Sequence, residues 1–368
     1  MAKDFSTMDD CNPSHNQSIH DLSNPLRRTI LRGGLATTIS SLLAPLGAVS
    51  LSGCSTTPTG IGPMLGFKSV TMNDLDTVTV PDGYRVQVLY RWGDAVGIAG
   101  NMPAYKSDAS NTVTEQEAQA GMHHDGIHYF PLDGSQRGLL VMNHEYTDDG
   151  LLHVGGMRDW SAEKVAKAQA AMGVSVIEIV NRGNSWEVVR PSRFARRVTA
   201  TTPMLITGPA RGHARLRTRD DASGAVVLGT VNNCAHGFTP WGTYLTCEEN
   251  FNGYFNGPDK PDADQARWGL KKGGAGYRWH EFDERFDVAR HPNEYNRFGW
   301  VVEIDPMDPT STPVKRTALG RAAHEGAHVT QTRDGRVVVY MGEDSRFEYI
   351  YKFVSRDAVR PGGAKANA

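Results

Sequence analysis

The sequence predicts an all-β protein, and within that class an incomplete β-propeller of several four-stranded blades with inserted loops and a short helix. Three observations carry this expectation. Glycine and proline are numerous, 39 and 19 in 368 residues, and are scattered along the chain, as many short strands joined by tight turns require. Helical patterns between the strand-like runs are nearly absent, which argues against a parallel α/β sheet. The third is a recurring unit: a short polar turn, a β-branched strand, then an acidic ending. It occurs as His123-His124-Asp125-Gly126 with a strand ending at Glu145, as Cys234-Ala235-His236-Gly237 with one ending at Glu248-Glu249, and as His324-Glu325-Gly326 with one ending at Glu343-Asp344. Its uneven spacing fits large propeller blades with insertions, whose equivalent loops converge on one end of a central channel.

From the N-terminus, residues 1–54 read as an export signal. Arg27-Arg28 precede Thr29-Ile30-Leu31-Arg32 and resemble the twin-arginine pattern. The mildly apolar stretch 33–49 is too weak and short for a membrane span. Leu51-Ser52-Gly53-Cys54 resembles a lipobox, which would put a lipid on Cys54; an uncleaved anchor or an ordinary cleaved signal is the alternative. The protein is therefore expected in the periplasm or elsewhere outside the cytoplasm, touching the membrane only through its signal or lipid. Twin-arginine export carries folded proteins that load a cofactor before leaving, so a metal site is expected. Residues 55–69 read as a flexible tether and 70–368 as the folded domain. Once Cys54 is set aside, Cys234 and Cys247 form a disulfide in an oxidising compartment, or else supply one thiolate ligand and one buried thiol.

A hydrophobic content of 39% is ample for a buried core. Lys and Arg number 39 against 41 acids, a net charge of −2, so nothing neutralises a nucleic-acid backbone and no nucleic-acid partner is expected. Strands are expected over 82–90, in a hairpin of 126–131 with 138–143, in a second of 174–180 with 185–190, and over 225–231, 242–246, 299–304 and 336–341. One helix is expected in AEKVAKAQAAM, capped by Ser161, with Glu163 in its first turn and Gly173 ending it. It reads as an inserted surface helix.

The densest chemical constellation is 232–243 running into Cys247-Glu248-Glu249-Asn250. A thiolate with carboxylates suits iron or another transition metal, and clustered carboxylates and carbonyls suit calcium. Taken alone, a glutamate pair more often marks a solvated face. His324-Glu325-Gly326-Ala327-His328 matches H-E-x-x-H, a zinc-hydrolase motif that works only on a helix. Gly326 inside it and the strand-forming TRDGRVVVY soon after it argue instead for Glu325 as a ligand on a propeller loop, with His324 and His328 supporting it or simply packed. The repeat adds Glu145, Asn143 and Glu343 as further candidates. Arg215, Arg217 and Arg219 alternate and are either phosphate binders or solvated surface arginines.

The stretch NNCAHGFTPWGTYLTCEENFNGYF (232–255) resembles the signature region of the PhoX alkaline phosphatases. Residues 141–146, 197–213, 299–306 and 318–329 agree with it in the family's order. The resemblance implies a monomeric β-propeller phosphomonoesterase that hydrolyses phosphate esters for phosphate acquisition. It implies an iron and calcium cluster bridged by an oxo group, with phosphate bound across the metals. A metal-held oxygen would be the nucleophile, so no side chain is expected to be phosphorylated. By this resemblance Cys234 ligates iron, and Glu325 and either Glu248 or Glu249 are carboxylate ligands. Family members are longer, and the later carboxylate ligands and a phosphate-contacting arginine fall beyond Ala368, so a truncated version with an incomplete site is expected. The alternatives are a non-catalytic, calcium-stabilised propeller that binds a partner, and a zinc hydrolase using His324, Glu325 and His328.

Overall fold

The structure, a computed structural model, describes residues 67–367 and divides into two compact units between Val86 and Gln87. Arg27, Arg28 and Cys54 lie outside the described residues. In the first unit the described residues form no helix or strand, and the rings of Phe67 and Tyr84 meet edge to face at 5.7 Å. The strand expected over 82–90 does not form. Val86 and Val88 are 48% and 72% exposed, and Trp186 is met by the Gln87 side chain, whose amide takes the place of backbone pairing: Nε2 donates to the Trp186 carbonyl at 2.6 Å and Oε1 accepts its N–H at 3.0 Å. Among the described residues no helix is long and apolar enough to cross a membrane.

The second unit is mostly β. Its first sheet holds β1 (His124–Asp133), β2 (Arg137–His144), β3 (Gly173–Asn181) and β4 (Trp186–Val188) in order, with β5 (Arg196–Val198) also pairing with β3. The second holds β6 (Pro203–Thr207), β7 (Val226–Leu228), β8 (Asn233–Phe238), β9 (Tyr244–Glu248), β10 (Val301–Ile304) and β11 (Val314–Arg316), in the order β7-β6-β11-β10-β9-β8. The third is β12 (His324–Gln331), β13 (Arg336–Glu343) and β14 (Ile350–Ala358). The sheets thus have five, six and three strands, not the four of the expected blades, because short strands such as β5, β7 and β11 add to the edges and interior of the first two. Pairing is antiparallel except between β6 and β11.

A large apolar core runs from Phe130, Leu139 and Val176 in the first sheet to Tyr244, Val302 and Ile304 in the second, and takes in the ring cluster Phe251, Phe255, Trp279, Phe286 and Phe298. Each such side chain contributes about 1.5–3 kcal/mol when fully buried. A second core of Leu245, Cys247, Val301, Ala327, Val337, Val339 and Met341 joins the second and third sheets. The leading strands of the three sheets meet backbone to backbone. A Cβ on Gly126 would lie 2.9 Å from the Ala235 carbonyl carbon, and one on Gly237 would lie 1.8 Å from the Ala327 carbonyl oxygen.

The expected helix spans Ala162–Ala171, with Ser161 Oγ accepting the Lys164 N–H at 3.3 Å and Gly173 following at φ +94°. It is not a surface helix: Val165, Lys167, Ala168, Gln169, Ala170 and Ala171 are buried. Its polar residues misled the sequence reading because they are buried with partners. Lys167 Nζ donates to the Ala109 carbonyl at 2.7 Å, and Gln169 donates to Asp283 at 2.8 Å. Arg197 donates to the Ala170 and Met172 carbonyls, placing a cation at the negative end of the helix.

Candidate metal centre

Three hairpins carry the same irregularity at their open ends. In β1/β2 His124 pairs with His144 and the ladder resumes at Ile127 and Met142. In β8/β9 Asn233 pairs with Glu248 and the ladder resumes at His236 and Thr246. In β12/β13 His324 pairs with Glu343 and resumes at Gly326 and Gly342. Each leading strand spends one extra residue there, a β-bulge, which re-aims the side chain that follows the pair. Those side chains are Asp125, Cys234 and Glu325. The residues just past the pair on the partner strands are Glu145, Glu249 and Asp344. Their N–H groups reach back to the carbonyls of His123 (3.1 Å), Asn232 (3.0 Å) and Ala323 (3.2 Å), the same bond in each hairpin. His123 and Asn232 sit at φ 49° and 50°, a left-handed backbone that side-chain-bearing residues adopt at a cost.

The bulges converge. Donor atoms of Asp125, Glu145 and Cys234 lie within 4.8 Å of one another, as do those of Cys234, Glu249 and Glu325. The Cys234 sulfur, shared by both groups, lies 3.4 Å from Asp125 Oδ2 and 3.5 Å from Glu325 Oε1, either of which can accept its one S–H. Asp344 is near enough to the Glu249 carboxyl to help raise it. Among the described residues none of these acids has an ion-pair partner. Neighbouring buried acids do: Glu248 has Lys315, Glu303 has Arg316 and Glu343 has Arg267.

Burial and unbalanced negative charge raise three groups of the cluster, Glu145, Glu249 and Cys234. Burial, then Asp125 and Glu325, push the Glu145 carboxyl up to about 7. Burial, then Glu325 and Asp344, push Glu249 up to about 8. Burial and the surrounding carboxylates push the Cys234 thiol far above its ordinary range. Carboxylate oxygens around one sulfur, with no lysine or arginine among the described residues paired to them, form a donor set that fits cations of both hard and intermediate character.

Not every candidate residue joins this cluster. Glu248 is fully buried on the opposite side of its strand: Oε1 accepts from Lys315 Nζ at 2.6 Å, and Oε2 accepts the N–H groups of Gly299 (2.9 Å) and Trp300 (3.0 Å). Successive residues of a strand face opposite ways, so only one of Glu248 and Glu249 can reach the centre. Asn143 is no ligand either. Its Nδ2 donates to the Cys234 and Ala235 carbonyls and its Oδ1 accepts from Tyr244 and Thr246, which exhausts the side chain. Glu343 is held by Arg267 and by the Tyr351 hydroxyl at 3.2 Å.

His324-Glu325-Gly326-Ala327-His328 lies on β12, not on a helix, which removes the geometry a zinc hydrolase needs. His324 is 1% exposed, its Nε2 bonded to the Gly320 carbonyl at 3.1 Å, and burial lowers it to about 4, while His328 is exposed. Cys234 and Cys247 are both free, so the disulfide alternative is not realised: Cys247 is packed in the second core. Arg215 pairs with Asp264 and Arg219 with Glu284, and Arg217 donates to the Gly212 carbonyl. The sequence places Asp125 in the first polar turn and Asp344 in the third acidic ending, but neither was singled out as a ligand. Both had a signal, since Asp125-Gly126 matches Glu325-Gly326 and Asp344 takes the place of Glu249.

Comparison with known proteins bears on this centre. A family model described as "Alkaline phosphatase PhoX" matches residues 65–368. This chain belongs to the PhoX alkaline phosphatase family. The solved structure of Pseudomonas fluorescens PhoX in complex with vanadate, a transition state analogue, is 48% identical with a TM-score of 0.79, over 82% of this chain. The chain spans 52% of that PhoX protein's length. A search of curated proteins found no match.

Proposed function

We propose that this chain carries the metal centre of a PhoX-type phosphomonoesterase that uses iron and calcium to hydrolyse phosphate esters in the periplasm for phosphate acquisition. The donor set supports this most directly: a thiol and five carboxylates, from three equivalent hairpins, with no ion-pair partner among the described residues to balance them. Cys234, the one soft donor, would hold iron, and Asp125, Glu145, Glu249, Glu325 and Asp344 would supply the hard oxygens that iron and calcium share. Bound cations would supply Lewis acidity and neutralise a dianionic phosphoryl group.

The chain's own residues set the conditions for binding. Glu145 and Glu249, raised to about 7 and about 8, hold protons near neutral pH while the cluster is bare and must release them as cations enter. A phosphate dianion meets only like charge at a bare cluster, so ester binding depends on loading. Asn143 fixes the Cys234 backbone from the neighbouring sheet, so the sulfur does not have to be ordered at the moment of loading.

The reading extends to a β-propeller, supported by the equivalent hairpins, whose donors meet at one end of their leading strands. It also extends to twin-arginine export, supported by Arg27-Arg28, and to a lipid on Cys54. Vanadate binding by P. fluorescens PhoX supports a phosphoryl substrate here. Hydrolysis of an aryl phosphate by the full chain, with metal content measured on the same sample, tests the proposal. Turnover that chelation abolishes and iron with calcium restores is expected. Calcium without iron and without turnover would favour a non-catalytic binding module.

A further inference from the structure

The three hairpins are equivalent at the donor positions but not at the rim around them. The residue before each terminal pair and the second residue after it are His123 and Tyr146, Asn232 and Asn250, and Ala323 and Ser345. In the second hairpin the two are tied together, the Asn250 N–H donating to Asn232 Oδ1 at 2.6 Å. In the third both are small. In the first alone they are rings, stacked with centroids 3.8 Å apart and planes 11° from parallel. His123 is exposed and Tyr146 half-buried, so the stack meets solvent through the imidazole.

The stack is fixed to the centre by covalent and hydrogen-bonded links. Tyr146 follows Glu145 directly and His123 is two residues before Asp125. The Glu145 N–H donates to the His123 carbonyl at 3.1 Å, and His123 is held at φ 49°. A flat π surface beside the donor positions is not needed to hold the cations, since among the described residues neither ring is hydrogen-bonded to a donor atom. Its chemistry is that of a stacking platform, which favours any planar group without reading its hydrogen-bonding edge.

We propose that the His123–Tyr146 stack is the leaving-group platform of the metal centre, selecting phosphate esters whose alcohol is planar and aromatic, such as aryl or nucleobase-bearing phosphates. This rests on the phosphomonoesterase reading. A phosphoryl group held by cations that Asp125, Glu145 and Cys234 would bind leaves its ester substituent at the rim, and of the three hairpins only the first offers that substituent a ring.

Direct binding tests this without turnover. Phenylphosphonate and methylphosphonate, neither of which is hydrolysed, are titrated calorimetrically into the full chain loaded with iron and calcium. Wild type is expected to prefer the phenyl compound by on the order of tenfold, the scale of one stacking contact. His123→Ala and Tyr146→Leu are expected to bring that ratio close to one, and Tyr146→Phe, which keeps the stack, to preserve it. An unchanged ratio in the first two variants, equal loss of both ligands, or no preference in wild type would overturn the platform. Binding of neither phosphonate by the loaded wild type would instead sink the phosphomonoesterase reading beneath it.

Discussion

Asn143 holds Cys234 in place from a different sheet. Its amide donates to the Cys234 carbonyl and, at 3.1 Å, to that of Ala235, while its oxygen accepts from Thr246 at 2.8 Å and Tyr244 at 3.0 Å. The side chain therefore joins β2 to the bulge of β8 and to β9. Asn143→Ala takes a partner from the buried Cys234 carbonyl, the half-buried Ala235 carbonyl and the buried Thr246 hydroxyl, while the Tyr244 hydroxyl keeps the Gly126 carbonyl at 2.8 Å. A loss of about 1–3 kcal/mol for each unsatisfied group that water cannot reach sets the scale. Chemical denaturation should show a clear drop in stability, and metal content should fall with it.

Glu248 and Glu249 are adjacent and chemically identical, yet their substitutions should have opposite consequences. Glu248→Gln leaves the fully buried Lys315 ammonium without its counter-charge, which costs about 3–5 kcal/mol in a buried pair. Glu249→Gln removes one charge from a self-repelling cluster. The metal-free Glu249→Gln chain should be at least as stable as metal-free wild type, and it should hold less metal. Denaturation of chelated samples, with metal analysis of unchelated ones, separates the two residues.

The bare cluster makes stability fall as pH rises. Glu145 and Glu249 have folded-state values of about 7 and about 8 against an ordinary 4.5. Between those limits the folded state binds more protons than the unfolded state, so unfolding free energy declines with increasing pH, and the loss is complete once both have ionised. The buried histidines, such as His144 and His324, oppose this trend only while the unfolded imidazoles still titrate, so the melting temperature of the chelated protein should decrease from about pH 7 to pH 9. Excess calcium should reverse the decrease, because a bound cation favours the ionised form.

Two glycines separate close packing from backbone freedom. Gly237→Ala drives a Cβ to 1.8 Å from the Ala327 carbonyl oxygen, so β8 and β12 must part, at a cost of roughly 1–3 kcal/mol. Gly242→Ala has open space but sits at φ +86°, and should cost only about 1–2 kcal/mol from the backbone. The distinguishing readout is metal content, which Gly237→Ala should lower by shifting Cys234 relative to Glu325 and which Gly242→Ala should leave alone.

Much of the centre was legible in the sequence as a pattern. Polar turn, β-branched strand and acidic ending recur because each hairpin needs donors at its open end and apolar side chains within its sheet. The pattern could not say which of two neighbouring acids faces inward. That depends on a one-residue bulge and on Lys315, whose claim on Glu248 comes from 67 residues away. Asp125 was obscured by the histidines beside it. Residues 233–238 and 324–331 look like turns because of their glycines and polar side chains, yet pairing on β9 and β13 makes them strands. The strand content of the three sheets was also hidden, since segments of three residues such as β5, β7 and β11 are too short to show a period.

The central claim is that three bulged hairpins hold cations through Cys234 and the acids around it. Elemental analysis of the full chain beside its Cys234→Ala and Cys247→Ala variants tests it most directly. Iron should fall to background in Cys234→Ala and persist in Cys247→Ala, whose thiol is packed among apolar side chains. Full iron content and full turnover in Cys234→Ala would contradict the account.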